Sequence, residues 1–473
     1  MTDVDAVVVG AGPNGLVAAV ALAEAGWKVV VLEAADHPGG GLRTEQLTLP
    51  GFRHDLGSTV HALGLASPAF RAIDLSREGL VLAHPPTPLG HAREPGRSVM
   101  LHRSAADTAA GLGRDGRHWE RVLGGLGERW EGLATSILDP THLPPSAPRE
   151  LIEVGLNGIW SAAATMRWGF RDEPARALFA GLGVHGAVEL HQPLTSAIAL
   201  LLGGLAHGVG WPVAVGGSQS IADALVARLE SLGGELRTGH RVTSLDDLPS
   251  ARATLLDLTP KQVGVVAGHR LPARYARRLR GWRYGPAVFK VDWALDGPIP
   301  WLDPELAGAG TVHLGGSGAA VVESERAVSQ GRMSAEPYVL LVQATVADPT
   351  RAPAGKHTAW AYCHVPYGSD VDATAIIESR IETFAPGFRD RVLGRHVMNP
   401  AALEAWNANL VGGDIAGGVT DWRQLIARPR LGLTPWATPL PDLFLCSSST
   451  LPGGGVHGMG GWNAAKTVLK RLG

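Results

Sequence analysis

Cysteine is almost missing from this chain. Cys363 and Cys446 are the only two in 473 residues, far apart and outside any C-x-x-C spacing, which excludes a redox dithiol and a cysteine zinc site. An excess of one charge is missing too. Lys and Arg number 42 against 44 Asp and Glu, for a formal net charge of -2, so there is no basic surface for nucleic acid and no like-charged tail. No H-x-x-x-H pair or carboxylate cluster appears, and no metal is expected. Apolar runs stay short of the roughly 18 residues that span a bilayer. The nearest, Ala197 to Val215, is broken by glycines, His207 and Pro212. A spanning helix is therefore not expected, while peripheral membrane contact stays open. No basic stretch followed by an apolar leader and a cleavage site precedes the first strand, and the cytoplasm is the expected location. What remains is 45% hydrophobic residues, too many for disorder, in a chain too long for one core. Two domains and small-molecule chemistry are the natural expectation.

The most informative stretch is Val7-Val8-Val9-Gly10-Ala11-Gly12-Pro13-Asn14-Gly15. It reads as a buried strand turning sharply into a helix. Gly10 permits the tight turn, Gly12 lets backbone approach a pyrophosphate, and Gly15 lets the helix pack on the strand. The free N–H groups at that helix start, with Pro13 and Asn14 in the first turn, attract phosphate. Leu16, Val17, Val20 and Leu22 continue the helix to Gly26, and a second strand, Val29 to Leu32, ends on Glu33. An acid there stands where a dinucleotide's ribose lies.

Next comes His37-Pro38-Gly39-Gly40-Gly41-Leu42-Arg43-Thr44, too rich in glycine to be chosen for stability, and then Asp55-Leu56-Gly57-Ser58. Taken together, the glycine motif, the strand ending in Glu33, the Gly-Gly loop with Arg43 and Thr44, and Asp-x-Gly resemble the FAD-binding half of the phytoene desaturase and amine oxidase flavoproteins. The phytoene-dehydrogenase-related branch is the most similar. The resemblance implies an α/β fold: a Rossmann-like FAD-binding domain of the glutathione-reductase/amine-oxidase type with an inserted α+β substrate domain. Residues 1–75, 211–285 and 425–473 would form the first, and 76–210 with 286–424 the second. It also implies that Gly39, Gly40, Arg43 and Thr44 run along the cofactor. The missing cysteine pair sets the chain apart from disulfide-reductase flavoenzymes.

Residues 76 to about 210 lose strand–helix alternation and read as a mainly helical insertion, ending in an apolar helix, Thr195 to Gly210, that is core or tunnel wall. Ser220 and Asp223 have capping-box spacing at a helix whose apolar face is Ile221, Leu225, Leu229 and Leu232. A strand is expected from Glu235 to Val242, and the resemblance places Val242 beside the adenine. Thr254 to Pro260 reads as the next buried strand. Period-two patterning marks Ala287 to Leu295, with Phe289, Val291, Trp293 and Leu295 on one face and Lys290 and Asp292 on the other. Further strands fit Tyr338 to Val346 and Thr358 to Val365, and a helix fits Ala373 to Phe384. Gly315-Gly316-Ser317-Gly318 lacks the third glycine and the acid of a second nucleotide loop. The chain closes with strand Leu443 to Cys446, a glycine loop and a helix from about Gly460. The family ends in a similar Thr-x-Pro-Gly segment facing the flavin, which implies cofactor contacts from Gly455, Val456, His457, Gly458 and Met459. Ser447 and Ser448 stand where many amine oxidases have Gly-Asp, so that carboxylate contact is not carried over.

A flavin takes the hydride itself, so the protein need only bind, orient and exclude water. Lys290 lies where amine oxidases often hold a water near flavin N5, although a plain surface ion pair with Asp292 reads equally well. His61 and His457 are candidates for acid–base work, for a hydrogen bond to flavin or backbone, or for packing. His185 and His191 are candidate pocket residues. The expected function is FAD-dependent, with the FAD held non-covalently, removing hydride from a mostly apolar small molecule. The electron acceptor is open between dioxygen and a quinone, and the oligomeric state is open. An amine or amino-acid oxidase, a redox-neutral isomerase and a flavin-binding partner without turnover are the alternatives.

Overall fold

The computed structural model describes residues 4–140, 144–432 and 434–473. Two sheets carry the architecture. The first is parallel and five-stranded, in the order Leu443–Leu445, Ala253–Leu256, Ala6–Val9, Val29–Leu32, Glu235–Arg237. Its central strand is flanked in register, with Ala6 opposite both Ala253 and Val29. Parallel strands buried on both faces need continuous apolar runs, which Ala6–Val9 and Val29–Leu32 supply. Helices Pro13–Glu24, Gln219–Ser231 and Met459–Leu472 pack on one face. Pro260–Ala267 and Ala273–Arg280 cover the other.

The second sheet is seven-stranded, ordered Val392–Met398, Ala287–Leu295, His357–Val365, Val339–Val342, Ala309–Leu314, Thr87–Glu94, Arg97–Leu101. All nine residues of Ala287–Leu295 are buried. Phe289, Val291, Trp293 and Leu295 lie in one core cluster with Ile377, Ile381 and Phe384 of helix Thr374–Phe384. On the opposite face Trp360, Leu340 and Leu89 share a core with the helices Glu173–Gly183 and Thr195–Gly208.

Several expectations are corrected. Residues 76–210 are mainly helical, but the unmarked strands Thr87–Glu94 and Arg97–Leu101 form an antiparallel hairpin at the edge of the second sheet. Gly90, His91 and Ala92 blur its alternation, and burial on the inner sheet decides the conformation instead. The strand at Glu235 stops at Arg237, so Val242 lies beyond it, half-buried against the core of the first sheet. Val339–Val342 is shorter than expected and yields to a helical turn, Ala344–Ala347. The capping box does not form. Ser218 occupies the N-cap, Ser220 Oγ donates to the Val215 carbonyl, and Asp223 accepts from Gln219.

Candidate active site

The carboxyl ends of the first parallel sheet gather the glycine segments. Helix Pro13–Glu24 starts at Gly12 without a side-chain cap, leaving its N-terminal N–H groups for other acceptors. A Cβ on Gly15 would sit 2.1 Å from the Gly10 carbonyl oxygen, so this helix approaches its own strand as closely as only glycine allows. The closing helix Met459–Leu472 packs against it. A Cβ on Gly461 would lie 1.8 Å from the Asn14 carbonyl oxygen. Its N-cap, Gly458, has φ +67° and a Cβ there would strike Val17. Two helix N-termini, each a partial positive charge, thus converge at the ends of Ala6–Val9 and Leu443–Leu445.

The Gly-Gly loop closes over them. Gly39 donates its N–H to the Ala11 carbonyl at 2.8 Å, and a Cβ on Gly40 would come to 3.0 Å from Gly12 Cα. A Cβ on Gly41 would meet nothing within 4 Å. Glu33 accepts N–H bonds from Ala11 at 2.6 Å and Ala35 at 2.8 Å. The buried Asn14 Oδ1 has no partner among the described residues. A glycine cradle and two helix N-termini that donate, with an acid at the second strand and an orphaned amide oxygen between them that accept, fit a dinucleotide such as FAD.

Asp257 was not anticipated. Its Oδ2 accepts the Gly15 N–H at 2.9 Å, and burial pushes its carboxyl up to about 7, with Glu33 adding to the rise and the Gly15 bond opposing it. The only signal in the sequence was an acid directly after the strand Ala253–Leu256.

Asp55 ties this cradle to the second sheet. It accepts bonds from Thr44 Oγ1 (2.6 Å), Thr59 Oγ1 (2.7 Å), the Ser218 N–H (2.9 Å) and Arg351 Nη1 (3.1 Å). Burial alone would raise its carboxyl, but Arg351 and these donors outweigh it and hold the group below its ordinary value. Arg351, itself fully buried, also donates to Asp348 at 2.9 Å and to the Ala214 carbonyl. Trp360 Nε1 donates to Thr59 Oγ1 at 2.9 Å. Thr44 is thereby committed to structure, and Arg43 pairs with Glu45.

The candidate acid–base residues separate. His61 Nε2 is 2.8 Å from Ser218 Oγ, whose own hydrogen goes to the Ser58 carbonyl at 2.6 Å. Nε2 must then be the donor, leaving Nδ1 as a bare, buried acceptor without a partner among the described residues. His457 Nδ1 instead accepts the Met459 N–H at 3.0 Å and so caps the closing helix. Burial lowers both imidazoles to about 4. Lys290 is not in a surface pair. Its Nζ is 2.5 Å from Asp292 Oδ1, both side chains are almost fully buried, and the ammonium lies 5.1 Å from the Trp360 ring centroid. The reason is tertiary: His54 and the Trp360 ring lie against the face that carries Lys290 and Asp292, and all nine residues of the strand are buried. His185 sits 3.2 Å from His313 inside the molecule, whereas His191 is an exposed partner of Glu189. Gly315 to Gly318 starts another helix, capped by Ser317 and by Glu173 on the Gly318 N–H. Cys363, in strand His357–Val365, and Cys446, directly after strand Leu443–Leu445, are both buried.

A cavity of about 270 Å³ adjoins the closing loop, lined by Leu63, Ile137, Leu138, Leu201 and Leu451 with His457 as its titratable group. Leu201 belongs to Thr195–Gly208, so that helix serves both as core and as cavity wall. No helix among the described residues is long and apolar enough to cross a membrane.

Known proteins bear on this geometry. Residues 8–73 match the family described as NAD(P)-binding Rossmann-like domain. Pyridine nucleotide-disulfide oxidoreductase domain-containing protein 2 of Rattus norvegicus is 26% identical, with 99% of this chain and 94% of the relative covered. Phytoene dehydrogenase of Streptomyces griseus is 27% identical over 74% of this chain and 71% of its own. Among solved structures, a putrescine oxidase mutant superposes with a TM-score of 0.63 at 19% identity, covering 99% of both chains.

Proposed function

We propose, from the premise that this chain is an oxidoreductase of the phytoene dehydrogenase-related flavoprotein family, that it binds FAD non-covalently and removes hydride from a mostly apolar small molecule. Residues 1–75, 211–285 and 425–473 hold the cofactor, and 76–210 with 286–424 shape the substrate space. Gly10, Gly12, Pro13, Asn14 and Gly15 form the turn and helix start that face the pyrophosphate, Glu33 faces the ribose, and Val242 the adenine side. Gly39, Gly40, Arg43 and Thr44 run along the cofactor, with Thr44 acting through Asp55. Gly455, Val456, His457, Gly458 and Met459 bring the second helix N-terminus to the flavin. FAD supplies the hydride acceptor when bound; the protein binds, orients and keeps the site dry.

The carrying observation is the leucine-lined cavity against the closing loop. It offers a greasy substrate burial area and almost no polar group to satisfy. His61, with its bare Nδ1, is better placed to take a proton than His457, whose Nδ1 is spent on a helix cap. Lys290 is the second candidate.

Anaerobic mixing of the FAD-loaded protein with lipophilic alkenes, saturated carbonyl compounds and amines tests the proposal. Rapid bleaching by an apolar compound is expected. Bleaching by amines alone would make the chain an amine oxidase, and no bleaching by any of them would favour an isomerase or a partner without turnover.

A further inference from the structure

Lys290 and Asp292 are the start of a buried polar path that ends at the surface. On one face of Ala287–Leu295, Lys290 Nζ meets Asp292 Oδ1 at 2.5 Å. Asp292 Oδ2 is buried and without a hydrogen-bond partner among the described residues. Two imidazoles turn their Nδ1 atoms toward this carboxylate, His54 at 3.7 Å from Oδ1 and His396 at 4.0 Å from Oδ2, and neither Nδ1 has a partner there. The two histidines are not equivalent. His54 is completely enclosed, and its Nε2 is engaged with Thr48 at 2.8 Å. His396 sits directly across the ladder from Asp292 on the edge strand Val392–Met398, with its side chain 35% exposed.

We propose that Lys290, Asp292 and His396 form a proton path between the buried interior and solvent, with Asp292 and His396 as positioning residues that act through Lys290. The balance is one proton in and one out. The Nζ proton moves to Asp292 Oδ1, leaving a neutral amine that takes the proton the substrate gives up when its hydride leaves, under the proposed function. Rotation of the carboxyl turns that proton toward His396, and it passes to Nδ1 across a gap that a small ring movement or one water closes. The imidazolium releases the proton of its other nitrogen at the exposed edge, and exchange of the neutral ring with solvent restores the bare Nδ1. Net charge is unchanged over the cycle. The other ionisable groups facing Asp292 do not offer a second exit. His54 is kept neutral, its imidazole lowered to about 3 chiefly by burial and then by Lys290. Asp55 is held ionised by Arg351 and is buried with it. The path's service to catalysis rests on the proposed role of Lys290, but its existence does not.

The chain has only six lysines, so the FAD-loaded protein labelled with 15N at lysine Nζ gives few signals. Lys290 is identified as the one lost in Lys290→Met. Exchange of its Nζ protons with solvent should slow by about tenfold or more in His396→Phe, and imidazole added to the buffer should restore it. A purely structural His396 predicts the opposite sign, since loosening the edge strand speeds exchange. Unchanged or faster exchange in His396→Phe, or slowing that imidazole does not relieve, overturns the path. Lys290→Met that reduces its flavin at the wild-type rate, with exchange still slowed in His396→Phe, would remove Lys290 from catalysis and leave the path standing.

Discussion

At the scale of single residues, the environment of each titratable group decides what it can do. His61 and His457 are both lowered by burial to about 4, so each is neutral at pH 7 and remains so through pH 5. If either serves as the base, flavin reduction should hold its rate down to about pH 4 rather than fall near 6.5, the ordinary imidazole value. A limb near 6.5 would assign the base elsewhere. Loss of the true base typically costs about 10² to 10⁴ in rate, so stopped-flow comparison of Lys290→Met, His61→Ala and His457→Ala should single out one of them with FAD still bound. His457→Ala should in addition lower thermal stability, because it uncaps Met459. Glu33→Ala removes a charged acceptor worth about 1.5–3 kcal/mol, and should weaken FAD binding about ten- to a hundredfold in a titration followed by flavin fluorescence. These residues differed in how far the sequence disclosed them. Glu33 was legible because an acid must end the second strand of a dinucleotide fold. Asp257 and Arg351 were not, since their partners Gly15 and Asp55 lie hundreds of positions away and only the folded chain brings them together.

At the scale of elements, the two glycine-rich turns and the helices they start were readable at both ends of the chain, because close helix–strand packing demands glycine at fixed spacing. Gly458→Val should lower flavin occupancy or shift its reduction potential, as a side chain there meets Val17 and needs a left-handed backbone. An unchanged spectrum and potential would move the closing loop away from the flavin. The hairpin Thr87–Glu94 and Arg97–Leu101 escaped notice because its strand character comes from pairing with Ala309–Leu314 rather than from its own pattern. The buried state of Lys290–Asp292 escaped for a related reason: local alternation reports a face, and only the folded chain, which sets His54 and Trp360 against it, says what covers it. Asp257, at the helix start, adds a pH term to the first domain. Its folded carboxyl is raised to about 7 from 3.8, so the folded state holds the extra proton between those values. That contribution is fully present below about pH 4 and is lost as pH rises toward 7. Relative to Asp257→Asn, the wild type should therefore lose stability across that range in denaturant titrations, and a parallel pH dependence of the two would contradict the assignment.

At the scale of the whole molecule, a parallel sheet that gathers two helix N-termini is joined through Asp55, Arg351 and Trp360 to a second sheet that carries the buried Lys290 and helices that wall an apolar cavity. The α/β class was readable from the strand–helix alternation near the start of the chain, whereas the cross-links that hold the two sheets in one arrangement were not. The central claim is that this arrangement exists to hold FAD. It is tested most directly by the visible spectrum of the purified chain, before and after incubation with FAD, with the cofactor then released by heat and identified. A flavin spectrum and FAD released by denaturation without proteolysis are the predicted result. A colourless protein that takes up no FAD on reconstitution would contradict it.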